Sequence, residues 1–366
     1  MESLLVTGAT GALGLPLLAS LLAARRQSRL VALVRGDPAA LRAALRQHWP
    51  DLDQAALFPV AGSLSEPDGL AGLAGAGPVQ GVLHLAACTK FRAPEAELAG
   101  TNVAGTRRLL AWAEAAPMTP RFIHFSTTCV AGKRTGPIAE APLTAEPGFV
   151  NAYERTKWET EQIVQASPLR PEIIRLATVV GSERDGRLHR PGAFHTTLRW
   201  LHAGLLPMIP GDAGTRLDLL HTELVTGFIP RLLGRPAAPG GVYHLSRGAR
   251  AVPLAELLAL ATEKYSARST AWRGGQILPP VLASRAAFDD FRTSIFQSRD
   301  FLFNQVLDSV DSFLPELFYP KRNDTARAEA VWGGPLPHPE WRPWLGRVLD
   351  YALDSDFGRK EIAAVG

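Results

Sequence analysis

Short apolar runs alternate with amphipathic segments along the first half of the chain. The apolar runs predict strands at 4–6, 30–34, 57–61, 81–85, 122–125 and 172–176. Between them, apolar residues three or four apart predict helices near 12–24, 38–48, 66–74, 94–115 and 151–166. Continuous apolar strands separated by helices are typical of parallel sheets covered on both faces. The pattern therefore predicts an α/β fold with a Rossmann-type doubly wound parallel sheet.

The alternation is lost after residue 180, where proline and glycine become frequent. One further strand is predicted from Val242 to Leu245 and one helix from Pro253 to Lys264, and the pattern is helical from 280 onward. We expect a Rossmann domain at 1–182. A smaller, mostly helical substrate-binding part should follow at 183–366, interleaving with the first domain around 240–250. The Phe- and Leu-rich region 288–318 is interpreted as helix core, with the wall of an acyl pocket or an interfacial membrane patch as alternatives.

The first predicted strand runs directly into a glycine-rich turn that precedes a helix. The turn reads Thr7-Gly8-Ala9-Thr10-Gly11-Ala12-Leu13-Gly14, with glycines spaced G-x-x-G-x-x-G. Such glycines permit a tight turn, close approach of a pyrophosphate to the backbone, and close helix–strand packing. The helix N-terminus attracts the phosphates. We therefore predict that this turn binds a dinucleotide and that 1–182 is an NAD(P)-binding Rossmann domain.

Arginine stands where NAD-dependent enzymes usually carry an acid. The second strand ends Ala32-Leu33-Val34-Arg35, and an acid at this place would hold the ribose 2′-hydroxyl. Arg35 instead suits a 2′-phosphate, and Arg42, further along, could assist it. The alternative for Arg42 is a solvated helix face. The prediction is NADPH, with NADH as the alternative cofactor.

A strand that ends in hydroxyls is followed by a Tyr–Lys pair. Ser126, Thr127 and Thr128 close the strand, and Tyr153 and Lys157 come about 25 residues later on one helix face. A nearby ammonium is expected to lower the pKa of Tyr153, which then serves as a proton donor to a carbonyl oxygen. A strand-end hydroxyl can hold that oxygen.

Charge, cysteine content and histidine spacing bear on the partners, the compartment and the metal content of the protein. The net charge of +4 is small and scattered, so no nucleic acid is expected as a partner. The two cysteines suit a reducing compartment, and we find neither a secretory signal nor a transmembrane segment. We expect a cytoplasmic protein. The histidines lack metal-ligand spacing, so we predict no metal.

Taken together, these residues resemble the extended short-chain dehydrogenase/reductases over roughly residues 1–250. The resemblance is carried by the glycine turn, Tyr153/Lys157, and the segments His84-Leu85-Ala86-Ala87, Asn102-Val103-Ala104-Gly105-Thr106 and Asp218-Leu219-Leu220-His221. Within them the chain is most similar to the fatty acyl reductases and thioester reductase domains. That likeness is carried by the stretch from Ser126 to Glu140 and by Tyr153, Lys157, Trp158 and Glu161.

The resemblance implies roles for individual residues. Thr127 takes the place of the catalytic Ser/Thr beside Tyr153 and Lys157. The implied cofactor contacts are Thr7, Gly8, Thr10, Gly11, Ala12, Leu13, Gly14, Arg35, Arg42, Ala86, Asn102, Tyr153 and Lys157. Ser63 and Leu176 depart from the family pattern at the adenine and the nicotinamide. Cys129 could be a covalent nucleophile, but we interpret it as a small buried hydrophobe.

The leading hypothesis is an NADPH-dependent reductase of an acyl thioester, carried by coenzyme A or an acyl carrier protein. The product would be an aldehyde or alcohol. The alternative is an NAD(P)-dependent ketone reductase or secondary-alcohol dehydrogenase on a hydrophobic substrate. From another class, a non-catalytic NADPH sensor is disfavoured by the complete Thr127, Tyr153 and Lys157 set.

Overall fold

A parallel sheet of seven strands forms the centre of the computed structural model, which describes residues 3–25, 29–91, 93–268, 277–311 and 314–360. The spatial order is β3-β2-β1-β4-β5-β7-β12. These strands are β1 (Ser3–Thr7), β2 (Arg29–Val34), β3 (Leu57–Ala61), β4 (Gly81–His84), β5 (Arg121–Thr127), β7 (Glu172–Leu176) and β12 (Val242–Leu245). The predicted Rossmann-like α/β fold is confirmed.

Twelve helices, counted within the described residues, accompany the sheet. They are α1 (Gly14–Ala24), α2 (Pro38–His48), α3 (Glu95–Leu98), α4 (Gly105–Glu114), α5 (Ala152–Ala166), α6 (Ala193–His202), α7 (Thr222–Leu233), α8 (Leu254–Arg268), α9 (Arg285–Ser298), α10 (Phe301–Asp311), α11 (Ala326–Trp332) and α12 (Trp341–Asp354). Helix α1 is apolar on nearly every side because it lies between the sheet and α7.

Two helix predictions need correction. The helix predicted near 66–74 is a loop that ends in a 3-10 turn, Ala71–Ala76. Glycines at 69, 72 and 75 make a helix costly there, and a Cβ on Gly72 would meet the Ala61 carbonyl at 2.8 Å. The helix predicted at 94–115 is interrupted by a π turn, Ala99–Ala104, between α3 and α4.

Four pairs of short strands connect distant parts of the chain. They join β6 (Gly136–Ile138) to β15 (Lys321–Asn323), β8 (Thr178–Gly181) to β11 (Leu219–His221), β9 (Met208–Pro210) to β14 (Val281–Ala283), and β10 (Arg216–Leu217) to β13 (Val252–Pro253). The β6–β15 pair holds the segment after the predicted catalytic strand against the C-terminal part of the chain.

The buried apolar side chains form a core on one face of the sheet, a second core built from residues 180 to 357, and a smaller third core on the other face of the sheet. Helices α7 and α11 and strand β12 contribute to the first core. We therefore retain the division into 1–182 and 183–366 as a proposal in which these three elements belong with the first domain. In α9 and α10, Phe288 is buried in the second core, whereas Phe296 and Phe301 are 78% and 82% exposed.

Candidate active site

The glycine turn lies at the carboxyl edge of the sheet, between β1 and α1. Gly8 has a φ of +72°, and a Cβ there would meet the Ala86 nitrogen at 2.7 Å. A Cβ on Gly14 would lie 2.0 Å from the Gly8 carbonyl oxygen. Both positions thus exclude a side chain. The intervening residues 10–13 are exposed or half-buried, so their backbone is accessible at this edge.

Thr7 and His84 hold the turn against the end of β4. The Thr7 hydroxyl accepts a hydrogen bond from Ala86 N at 3.2 Å and lies 2.8 Å from His84 Nδ1. His84 Nε2 lies 2.8 Å from the Thr106 hydroxyl, which donates to the Asn102 carbonyl at 2.6 Å. Because the Thr106 hydroxyl donates its proton to the Asn102 carbonyl, it accepts a hydrogen bond from His84 Nε2. The neutral His84 ring therefore carries its proton on Nε2 and accepts from the Thr7 hydroxyl through Nδ1. Burial, aided by the Lys157 charge, lowers the pKa of His84 to about 3.

Asn102 lies inside the π turn and is almost completely buried. Its amide accepts from Cys88 N at 2.7 Å and donates to the Cys88 carbonyl at 3.1 Å. It also donates to the Thr156 hydroxyl on α5 at 3.3 Å. Thr7 and Asn102, both predicted as cofactor contacts, thus use their side chains to position the segment that contains Ala86.

The two arginines predicted to bind the 2′-phosphate differ in position: Arg35 lies at the carboxyl edge of the sheet, and Arg42 bonds to carbonyls at the amino edge. Arg35 directly follows β2 at the same edge as the glycine turn and is exposed. Arg42 lies on α2 and donates to the carbonyls of Gln54 (3.1 Å) and Leu57. Leu57 begins β3, so these carbonyls lie at the amino edge of the sheet, away from the turn. The structure gives Arg42 a role in holding α2 to β3 instead.

Thr127 is the last residue of β5. Tyr153 is the second residue of α5 and lies beside Thr127. The Thr127 hydroxyl accepts from Cys129 N at 3.2 Å. The Phe91 ring packs edge-on against Tyr153, with ring centroids 4.9 Å apart. Burial, with a smaller contribution from Cys129, raises the pKa of Tyr153 well above its usual value, while a hydrogen bond from Thr127 acts in the opposite direction. The two hydroxyls are therefore close neighbours in a nearly dry site.

The expectation that Lys157 lowers the pKa of Tyr153 is wrong for this structure. The buried Lys157 Nζ donates to the Phe125 carbonyl at 2.8 Å and lies 3.4 Å from His124 Nε2. Its ammonium is thus turned toward β5, and burial of Tyr153 determines the direction of that pKa. Burial also lowers the pKa of Lys157 to about 8, against a raising effect of Glu161.

A cluster of Cys129, Glu154 and Glu316 lies behind the tyrosine. The Cys129 Sγ and one oxygen of each carboxyl group lie within 4.8 Å of one another, and Lys321 pairs with Glu316 at 2.5 Å. Burial and then Glu316 raise the pKa of Glu154 to about 9. Burial, with the nearby Glu316 and Glu154, raises the pKa of the Cys129 thiol, so the thiolate required for covalent attack is disfavoured.

The motif residues that suggested an acyl reductase have structural partners. Glu140 accepts from His244 N and Ala328 N at 2.8 and 3.1 Å, which joins β12 to α11. Trp158 donates to the Leu143 carbonyl at 2.7 Å. Glu161 forms a fully buried ion pair with Arg175 at 2.7 Å. These residues fix α5 and the segment after β5 around the site, and they do not by themselves identify a substrate.

Two groups of potential metal ligands occur in the described part of the chain. The first is the Cys129 cluster, which already contains the Lys321 ammonium. The second is Glu183, His221 and Glu223, where Glu223 also accepts from Glu183 N at 2.8 Å. The absence of a metal remains a prediction. Within the described ranges, no helix combines the length and apolar character needed to cross a membrane.

Several residues of this site were not anticipated from the sequence. His124 lies within a predicted strand, and a histidine inside an apolar run is the signal that could have identified it. Glu154 lies within the Tyr–Lys motif, and its neighbours Glu316 and Lys321 are too distant along the chain for any local pattern to connect them.

The parallel sheet, the glycine turn and the family match identify the chain as an NAD(P)-dependent oxidoreductase of the extended short-chain dehydrogenase/reductase type, as predicted. More particularly, residues 6–229 match the NAD-binding family described as male sterility protein. Because that match covers more than half of the chain, the protein belongs to this family, which includes thioester reductases.

Known proteins are similar to this chain in sequence or in structure. An isonitrile lipopeptide synthase from Streptomyces coeruleorubidus is 28% identical over 249 residues, which are 61% of this chain and 16% of that protein. The terminal R domain from the myxalamid PKS-NRPS pathway aligns with a TM-score of 0.78 at 23% identity, covering 100% and 93% of the two chains. An archaeal thiolation-reductase di-domain aligns with a TM-score of 0.74 at 19% identity, covering 97% and 76%. The chain thus spans a small part of the matched synthase.

Proposed function

We propose that this protein is an NADPH-dependent reductase that transfers hydride to the carbonyl of an acyl thioester. The observation that carries the proposal is the grouping of Thr127 and Tyr153, with Lys157 on the same helix, at the carboxyl edge of the sheet in a member of this family. The glycine turn lies at the same edge, so cofactor and reacting carbonyl can meet there.

The residues at the turn suit a dinucleotide. Gly8 and Gly14 leave no room for side chains, which keeps the turn narrow and brings backbone N–H groups toward a pyrophosphate. Arg35 is exposed beside the turn and suits a 2′-phosphate, so we propose NADPH in preference to NADH. Arg42 is left out of this proposal because its guanidinium is occupied at the opposite edge.

The protein groups have separate roles in the proposed reaction. The cofactor supplies the hydride that reaches the carbonyl carbon. Tyr153 stays a neutral phenol at working pH because its pKa is raised, so it can donate its proton to the oxygen as negative charge develops. Thr127 donates a hydrogen bond to that oxygen. The resulting hemithioacetal breaks its C–S bond to give an aldehyde and a free thiol, and Lys157 holds the ribose.

The acyl group would arrive on coenzyme A or on a carrier protein. A carrier is supported by the likeness to a thiolation-reductase di-domain and to part of a lipopeptide synthase. Coenzyme A and carrier proteins are acidic, and the chain has a net charge of +4, which gives weak additional support.

The test is NADPH oxidation, followed by absorbance, with acyl-CoA and acyl-carrier thioesters of several lengths. Free ketones of matched size are assayed in parallel, and Tyr153→Phe serves as the control for turnover at this site. We expect oxidation with at least one thioester, and oxidation about 10²–10⁴-fold slower in the variant. Oxidation with ketones alone would identify the protein as a ketone reductase.

A further inference from the structure

His124 lies in the middle of β5, directly against the amine of Lys157. It is 1% exposed, and its Nε2 is 3.4 Å from Lys157 Nζ. His124 Nδ1 has no hydrogen-bond partner among the described residues. A leucine would fill much of the same space without burying an unpaired nitrogen. The imidazole therefore carries a cost that its contact with Lys157 must offset.

The hydrogen-bond donors of Lys157 determine which tautomer His124 adopts. An ammonium has three N–H donors and no acceptor. One N–H is donated to the Phe125 carbonyl at 2.8 Å, and a second is directed at His124 Nε2. The ring must therefore accept through Nε2 and carry its proton on Nδ1. Among the described residues the Phe125 carbonyl and His124 Nε2 are the two hydrogen-bond partners of the amine, so its third N–H is available to a ligand.

The charged and titratable groups around this contact come from three elements, α5, β7 and β4. Glu161 follows on α5 and is held by Arg175 of β7. The His84 ring of β4 contacts the His124 ring at a tilt of 47°, with ring centroids 5.2 Å apart, and Tyr153 lies one turn before Lys157 on α5. Burial and the Lys157 charge keep the pKa of His124 well below its usual value, so its ring stays neutral.

We propose that His124 is a positioning residue that fixes the Lys157 ammonium for cofactor binding by accepting a hydrogen bond through Nε2. This inference rests on the proposed role of Lys157 in holding the ribose. The acceptor stabilises the charged form of a buried amine, whose pKa is already lowered to about 8. Its loss should move ionisation of Lys157 to lower pH by about one unit, the scale of one hydrogen bond to a charged group.

The experiment measures NADPH affinity against pH by fluorescence, without any acyl substrate. Wild type is compared with His124→Leu, which removes the acceptor, and His124→Gln, whose side-chain oxygen can replace Nε2. Phe122→Leu is the matched control, because Phe122 is buried in the same strand and points to the same face. ¹⁵N NMR of histidine-labelled wild-type protein reports the tautomer of His124 directly.

We expect the alkaline loss of affinity to begin about one pH unit lower in His124→Leu, with about tenfold weaker binding there. The pH dependence should be unchanged in Phe122→Leu and close to wild type in His124→Gln. The NMR spectrum should show a neutral ring protonated on Nδ1. An unchanged pH dependence in folded His124→Leu, or a ring protonated on Nε2, would overturn the proposal. Because the experiment uses no thioester, its outcome does not depend on whether the protein reduces thioesters.

Discussion

Replacing Glu154 by glutamine is expected to stabilise the protein, and to do so more strongly as the pH rises. Glu154 is 1% exposed, and its Oε2 accepts from Val150 N at 2.8 Å. Burial and the neighbouring Glu316 carboxyl group raise its pKa from 4.5 to about 9. Glutamine has the shape of the protonated acid. Its oxygen can accept from Val150, and its amide can donate toward Glu316.

The direction of this stability change follows from the difference in Glu154 protonation between the folded and unfolded states. Above pH 4.5 the unfolded chain releases the Glu154 proton, while the folded protein retains it until about pH 9, so wild-type stability falls as the pH rises through this window. The slope is about 1.4 kcal/mol per pH unit for one proton. The free energy of unfolding of Glu154→Gln, relative to wild type, should therefore increase by about 3 kcal/mol between pH 6 and pH 8.

Urea denaturation at pH 6 and pH 8 measures this difference. Glu159→Gln on the same helix is the control, because its side chain is 41% exposed and should give the same small effect at both pH values. A stability difference between Glu154→Gln and wild type that is equal at both pH values would show that Glu154 is ionised in the folded protein. The reasoning about the carboxyl pair would then be refuted.

Three further substitutions test the site. Tyr153→Phe should lower turnover by about 10²–10⁴-fold through loss of the proton donor while NADPH still binds, as measured by initial rates and fluorescence titration; near-normal turnover would mean another acid. Arg35→Ala should weaken NADPH more than NADH in dissociation constants, and equal affinity of wild type for both cofactors would contradict the 2′-phosphate role. Gly14→Ala should greatly reduce cofactor affinity or folded yield, because its Cβ would lie 2.0 Å from the Gly8 carbonyl oxygen; normal binding would mean that the turn adjusts.

The sheet was predictable because its strands, apart from the edge strand β3, are buried on both faces. The predicted limits of β3, β7 and β12 agree with the structure to the residue. The short paired strands were not predicted because two to four residues carry no periodicity. The π turn at Ala99–Ala104 was missed for a different reason, since its apolar spacing still resembles that of an α-helix.

The site was predictable where backbone geometry demands a residue type. Gly8 and Gly14 occupy places that exclude a Cβ, so their spacing was informative. The direction of a long side chain was not predictable. Arg42 donates to carbonyls at the amino edge of the sheet, and Lys157 donates to the Phe125 carbonyl. Both side chains take directions set by acceptors that come into place only when the sheet has folded.

The most direct test of the central proposal is the number of thiols released for each NADPH oxidised. The protein is incubated with NADPH and an acyl thioester, and free thiol, aldehyde and oxidised cofactor are quantified in the same reaction. We predict one thiol and one aldehyde for each NADPH in the first reduction, and about 10²–10⁴-fold slower formation of both products with Tyr153→Phe. NADPH oxidation without thiol release, accompanied by reduction of a free ketone, would contradict thioester reduction.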